Sequence, residues 1–246
     1  MRLLGYRKET ERVKKKGLRI LAAAAVLTFG CLTMNAYAAE GWALSNNIWT
    51  YLDKNGNRVT NEWKKGADNL WRYLNNSGEM AVNSWADNDY YVDANGIMVA
   101  DKWMQIVSPY SRDSQTYWFY FGSSGKVTKD TWKKIDGKSY YFDADGIMQT
   151  GWTEDGDYYL SSSGAMVTGW RYLEPKDEDS SLYGPESDDG KYWFYFSTSG
   201  KKQSPSTSDD GGDYKVTKID GKYYCFDADG RMRTGWVYLE GDPENS

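Results

Sequence analysis

Short runs of alternating aromatic and apolar residues recur along the chain, each broken by a polar turn that ends in glycine. The runs WTYLDKNG (49–56), WRYLNNSG (71–78), DYYVDANG (89–96) and WFYFGSSG (118–125) come first. SYYFDADG (139–146), DYYLSSSG (157–164), WFYFSTSG (193–200) and YYCFDADG (223–230) follow. Period-2 alternation predicts a strand with two distinct faces, and the closing glycine predicts a left-handed residue in a short hairpin loop. Each unit therefore reads as a β-hairpin, with Met80, Met98, Met148, Met166 or Met232 two residues past the glycine on the returning segment. A lone hairpin is marginal in water, so the units must stack to bury their rings. The predicted fold is all-β, a solenoid of about eight stacked β-hairpin repeats.

The alternation sorts the strand residues onto two faces. One face carries Leu52, Leu74, Val92, Phe121, Phe142, Leu160, Phe196 and Phe226, and tolerates any apolar shape, as core filler does. The other carries Tyr51, Tyr73, Tyr91, Tyr120, Tyr141, Tyr159 and Tyr195, interrupted by Cys225. A position that required only hydrophobicity would drift as the first face does, so the tyrosine face is expected to contact something besides core. Two residues earlier stand Trp49, Trp71, Trp118 and Trp193, replaced in the other units by Asp89, Ser139, Asp157 and Tyr223. A second series opens the units: Trp42, Trp63, Trp85, Trp103, Trp132, Trp152, Trp170 and Trp236. Residues 85–151 also resemble 152–235, as if a three-unit block had been duplicated. Polar inserts at 107–116, 174–191 and 204–214 read as surface loops.

Composition narrows the chemistry. Aromatic residues are 16% of the chain and histidine is absent, which removes His-based triads, His-centred acid–base catalysis and most catalytic zinc sites. The acidic stretch within 174–189 reads as a solvated loop, and Asp143 to Gly146 as a plain turn, since Ile147 falls where a calcium loop needs a ligand. No enzyme activity, metal or other cofactor is expected. Residues 1–38 combine a basic start, a short apolar run and Ala36-Tyr37-Ala38, the pattern of a cleaved secretory signal peptide. Without them 22 Lys+Arg face 33 Asp+Glu, a balance that repels nucleic acid, and no membrane span is expected in the mature chain. Cys225 is then the sole cysteine, so stability must come without an intrachain disulfide.

The repeats resemble the cell-wall-binding, choline-binding-type repeats of Gram-positive surface proteins. TWKKIDGKSYYFDADGIMQTGW (131–152) follows that family's pattern almost throughout, and the resemblance spans nearly all of 41–240. It implies a hairpin solenoid in which choline sits between successive units, held by the opening and strand tryptophans of one unit, the tyrosine of the next and a nearby methionine. Carried onto this sequence, the implied cages are Trp42, Trp49 and Tyr73; Trp63, Trp71 and Tyr91 near Met98; and Trp103, Trp118 and Tyr141 near Met148. Trp170 and Trp193 imply a fourth, with Cys225 in its tyrosine position. The implied protein is secreted, located at the cell wall or cell surface, and attaches non-covalently to a choline-bearing polymer or related glycan. The alternative is a surface interaction protein whose repeats are a scaffold and whose inserts contact a protein or host glycan. The oligomeric state is left open by the sequence.

Overall fold

The computed structural model of the chain describes residues 40–111, 114–176, 187–205 and 214–235. The signal-peptide segment, Trp236 and much of the inserts at 174–191 and 204–214 lie outside the described residues. Among those described, all helical or strand structure is strand, arranged as eight antiparallel hairpins. The first four pair β1 (Gly41–Ser45) with β2 (Ile48–Leu52), β3 (Glu62–Lys65) with β4 (Trp71–Leu74), β5 (Ser84–Ala86) with β6 (Tyr90–Val92), and β7 (Lys102–Val107) with β8 (Thr116–Phe121). The next three pair β9 (Thr131–Ile135) with β10 (Lys138–Phe142), β11 (Gly151–Trp152) with β12 (Tyr159–Leu160), and β13 (Gly169–Leu173) with β14 (Tyr192–Phe196). The eighth pairs β15 (Tyr214–Ile219) with β16 (Lys222–Asp227), and β17 (Met232–Arg233) adds a third strand.

The turns form for a local reason. Asp53, Asn75, Asp93, Asp143 and Asp227 each accept, through Oδ1, the amides two and four residues ahead. This satisfies backbone donors that the tight turn would otherwise leave unpaired. All eight turn glycines have φ between 70° and 85°. At Gly125 a second constraint applies, because a Cβ there would lie 2.6 Å from the Met98 sulfur of the preceding hairpin.

Stacking is fixed by one recurrent backbone bond. The amide two residues past the turn glycine donates to a carbonyl of the second arm of the preceding hairpin: Met80 to Trp49, Met98 to Trp71, Val127 to Asp89, Met148 to Trp118, Met166 to Ser139 and Lys202 to Asp157, at 2.8–2.9 Å. The apolar strand face is then sealed. Leu74, Val92, Phe121, Phe142, Phe196 and Phe226 retain no exposed surface, as their alternation predicts. Leu52 stays half-buried because no hairpin precedes the first among the described residues. The core is accordingly a row of small clusters, such as Tyr73, Ala81, Ala86 and Val92, then Tyr91, Val99, Phe119, Phe121 and Val127.

Candidate functional site

The antiparallel register places each opening tryptophan directly across from the tyrosine of its own hairpin: Trp42 opposite Tyr51, Trp63 opposite Tyr73, Trp103 opposite Tyr120, Trp132 opposite Tyr141 and Trp170 opposite Tyr195. Side chains opposite one another in a ladder lie close enough for rings to touch, and these do, at centroid separations of 5.0–5.6 Å. The ring that reaches back from the next hairpin stands one position earlier on its strand. Tyr90 meets Trp63, Tyr140 meets Trp103, Tyr158 meets Trp132 and Tyr224 meets Trp170.

Hydrogen bonds clamp the same indoles. The indole N–H groups of Trp42, Trp85 and Trp152 donate at 2.9 Å to the backbone carbonyls of Lys65, Val107 and Glu174, each in the next hairpin. Trp63 instead donates to Asp87 Oδ2 at 2.8 Å, while the Tyr73 hydroxyl donates to Asp87 Oδ1 at 2.8 Å. Burial and this bond to a carboxylate push the Tyr73 phenol up to about 12.

The implied cage residues divide into three groups. Trp103 with Trp118, and Trp170 with Trp193, meet edge to face at 6.4 Å in both cases, with interplanar angles of 83° and 82°. The rings around the two pairs also match: Tyr120, Tyr140 and Phe142 surround Trp103 as Tyr195, Tyr224 and Phe226 surround Trp170. The block duplication read from the sequence thus recurs as two copies of one ring cluster. Trp118 and Trp193 remain 43% and 45% exposed, so each cluster presents an open indole to solvent.

In the second group, Trp71 is exposed and carries the Lys65 ammonium over its ring at 5.0 Å, while Trp42 and Trp49 lie half-buried on the first hairpin. The third group comprises the tyrosines. Tyr73 and Tyr91 are buried in core clusters, and Tyr141 rests on Trp132. All three pack across their own ladders on tryptophan, a contact that alternation alone does not distinguish from ligand contact. Met98 and Met148 bond through their amides to the carbonyls of Trp71 and Trp118, and their thioethers run against the turns at Gly125 and Gly164.

Internal lysines are the feature sequence reasoning missed. Where the strand tryptophan is replaced by aspartate, the next hairpin supplies a partner. Asp89 pairs with Lys126 at 3.2 Å and Lys129 at 2.9 Å, and Asp157 pairs with Lys201 at 3.0 Å. Elsewhere ammonium groups lie over rings: Lys64 on Tyr51 at 5.1 Å, Lys133 on Tyr120 at 5.8 Å and Lys202 on Trp152 at 5.3 Å. The WKK of 63–65 and 132–134, set against the WTED of 152–155, was the available signal. Between hairpins five and six no lysine of the described residues lies over the ring pair, and a cavity of about 380 Å³ opens, lined by Trp132, Tyr141, Thr153, Glu154, Asp155 and Tyr158.

Residues 39–85 and 127–169 match the family model of the choline-binding repeat. Among solved structures, choline binding protein F from Streptococcus pneumoniae, determined in the presence of a peptidoglycan analogue, is similar at 30% identity and a TM-score of 0.52. That match covers 77% of this chain and 57% of the other. The choline-binding domain of CbpL from Streptococcus pneumoniae is 25% identical at a TM-score of 0.46, covering 81% of this chain and 100% of that one. The modular autolysin LytC from the same species is 24% identical at a TM-score of 0.46, covering 79% of this chain and 46% of its own. The chain thus spans about half the length of the autolysin and of choline binding protein F. None of the curated protein sequences matches it. Over the two stretches that the family model matches, the chain carries repeats of the choline-binding type.

Proposed function

We propose that the chain is a secreted cell-surface binding protein, not an enzyme, which attaches non-covalently to a choline-bearing cell-wall polymer through aromatic pockets between its hairpins. The observation that carries this reading is the repeated edge-to-face indole pair, Trp103–Trp118 and Trp170–Trp193, with one open ring in each. A quaternary ammonium has no N–H to donate, so only ring faces and polarisable groups can hold it, and two indoles at right angles offer faces from two directions. Each such contact contributes about 0.5–2 kcal/mol. Met148 is bonded through its amide to the Trp118 carbonyl, which ties the following hairpin to the first pair. Trp42 with Trp49, and Trp63 with Trp71, are proposed as weaker sites, since Lys65 already lies over Trp71. Tyr73, Tyr91 and Met98 support these sites from within the stack, whereas Tyr141 packs on Trp132 of its own hairpin.

Weak sites on one chain act together on a polymer, which raises retention well beyond that of any single pocket. The reading also accords with choline binding protein F, whose structure was determined with a peptidoglycan analogue. The test is retention on a choline-derivatised resin with elution by free choline. Trp118→Ala and Trp193→Ala should each weaken choline binding at their own pocket by about 2- to 30-fold, and Trp71→Ala by less. Failure of the wild-type chain to bind the resin would remove choline as the ligand and direct the search to neutral glycans.

A further inference from the structure

We propose that the cavity between hairpins five and six is a binding site for a primary ammonium group, separate from the choline pockets and with a different ligand preference. Two equivalent interfaces of the same chain hold an ammonium of their own at this position. Between hairpins one and two, Trp42 pairs with Tyr51, and the Lys64 ammonium of the following hairpin lies over the tyrosine ring at 5.1 Å. Between hairpins four and five, Trp103 pairs with Tyr120, and Lys133 lies over that ring at 5.8 Å. Each lysine directly follows the opening tryptophan of its hairpin. The fold therefore seats a primary ammonium on this ring pair twice, from its own side chains.

Between hairpins five and six the ring pair is intact, with Trp132 and Tyr141 at 5.4 Å and Tyr158 adding a third ring at 5.0 Å from Trp132. The residue that follows Trp152 is Thr153, too short to reach the rings as lysine does, and the cavity of about 380 Å³ lies where the lysine would. Charge changes sign at the same place. Lys64 and Lys133 are followed by Lys65 and Lys134, whereas Thr153 is followed by Glu154 and Asp155, both lining the cavity. Asp155 Oδ1 accepts from the Thr153 hydroxyl at 2.6 Å and from the Asp157 amide at 3.0 Å, which fixes the turn. The Glu154 side chain has no hydrogen-bond or ion-pair partner among the described residues, and the nearby Lys176 ammonium is engaged by the Glu154 backbone carbonyl.

An aromatic wall facing an unpaired carboxylate selects for a cation that can also donate hydrogen bonds. A primary ammonium does both, with charge-assisted bonds to Glu154 and a ring face beneath it. A quaternary ammonium cannot use the carboxylate's lone pairs, and Ser139 stands where a second indole would have held it. The cavity exceeds the volume of a bare ammonium, so an amine carried on a sugar fits as well as a simple alkylamine.

The test follows the indole N–H resonance of Trp132, assigned through Trp132→Phe, while the intact chain is titrated with ethanolamine, glucosamine, N-acetylglucosamine or choline. Saturable shifts with ethanolamine or glucosamine are expected, together with silence from N-acetylglucosamine. A tighter response to glucosamine assigns a sugar-borne amine, and an equal response assigns a simple one. Glu154→Gln should weaken the response about tenfold. Thr153→Lys should abolish it by reinstating the internal ammonium, in a substitution the fold already accommodates at Lys64 and Lys133. Choline should still move Trp118 and Trp193 in both variants, so failure of this site is distinguishable from failure of the choline pockets. The proposal is overturned if the amines leave Trp132 unmoved, if both variants respond as wild type, or if choline or N-acetylglucosamine binds there as tightly as the amines.

Discussion

Asp87 shows how much one side chain carries in a stack of short hairpins. Its carboxylate accepts from the Trp63 indole and the Tyr73 hydroxyl, both belonging to the preceding hairpin, and its own backbone is left-handed at φ 50°. Alanine there would mix loss of the bonds with backbone strain, whereas asparagine tolerates the same conformation. Asp87→Asn leaves one good acceptor oxygen for two donors, so one bond is lost. The expected cost is about 1 kcal/mol, measured by chemical denaturation at neutral pH. A second readout is specific to the bond. The Tyr73 phenol sits at about 12 in the fold against about 10 in an unfolded chain. Its contribution to stability is therefore complete below the unfolded value and is lost as pH rises through the folded one. Removing the carboxylate's charge should lower the Tyr73 value, so ultraviolet titration of the variant should show tyrosinate forming at lower pH. An unchanged titration would mean that burial alone sets it.

At the scale of the hairpin, most of the fold was legible and much of the site was not. The turns follow from Asx residues and glycines whose chemistry permits few alternatives, and the sealed face from Leu74 to Phe226 follows from period-2 alternation. Alternation assigns a residue to a face, but it does not say which ring it meets. Tyr141 turned to Trp132 across its own ladder, while Tyr140 reached the preceding hairpin's Trp103. The lysines were harder still, because a charge run reads as solvated surface until a neighbouring ring lies under it. Lys202 tests this logic. It occupies the position held by Met80, Met98, Met148 and Met166 in other hairpins, and its chain runs against the turn at Gly230 as Met98 runs against Gly125. Burial depresses its pKa, and that cost outweighs the contribution of the Trp152 ring and the surrounding aspartates. Lys202→Met should therefore stabilise the protein by about 1 kcal/mol at neutral pH. The sign fixes a pH dependence: the ammonium's penalty is complete below its depressed folded pKa and disappears as pH approaches the unfolded value. The variant's advantage should shrink on going from neutral to alkaline denaturation; a constant advantage would assign it to packing instead.

Among the described residues the array has no central core, only clusters at successive interfaces, so its stability should behave as a sum of hairpin terms and nearest-neighbour couplings. The recurrent inter-hairpin amides report on those interfaces one by one: Met80 N–H for the first pair, Met148 N–H for the fourth and fifth, Lys202 N–H for the sixth and seventh. Phe142 has no exposed surface and meets Trp103 of the preceding hairpin at 5.6 Å, so its truncation damages one interface directly. Phe142→Ala should cost about 3–5 kcal/mol there. In a globally cooperative domain that loss would speed exchange at every protected amide alike. In a row of coupled units it should speed Met148 exchange by two orders of magnitude or more, on the order of what such a loss implies, and leave Met80 within about threefold of wild type, the range expected for an uncoupled distant site. Hydrogen exchange resolved at these amides decides between the two. A uniform acceleration would mean that the hairpins fold as one body, and pockets along the array would then be energetically linked. A graded one would leave each pocket to fill on the strength of its own pair of hairpins, as independent sites for a multivalent polymer require.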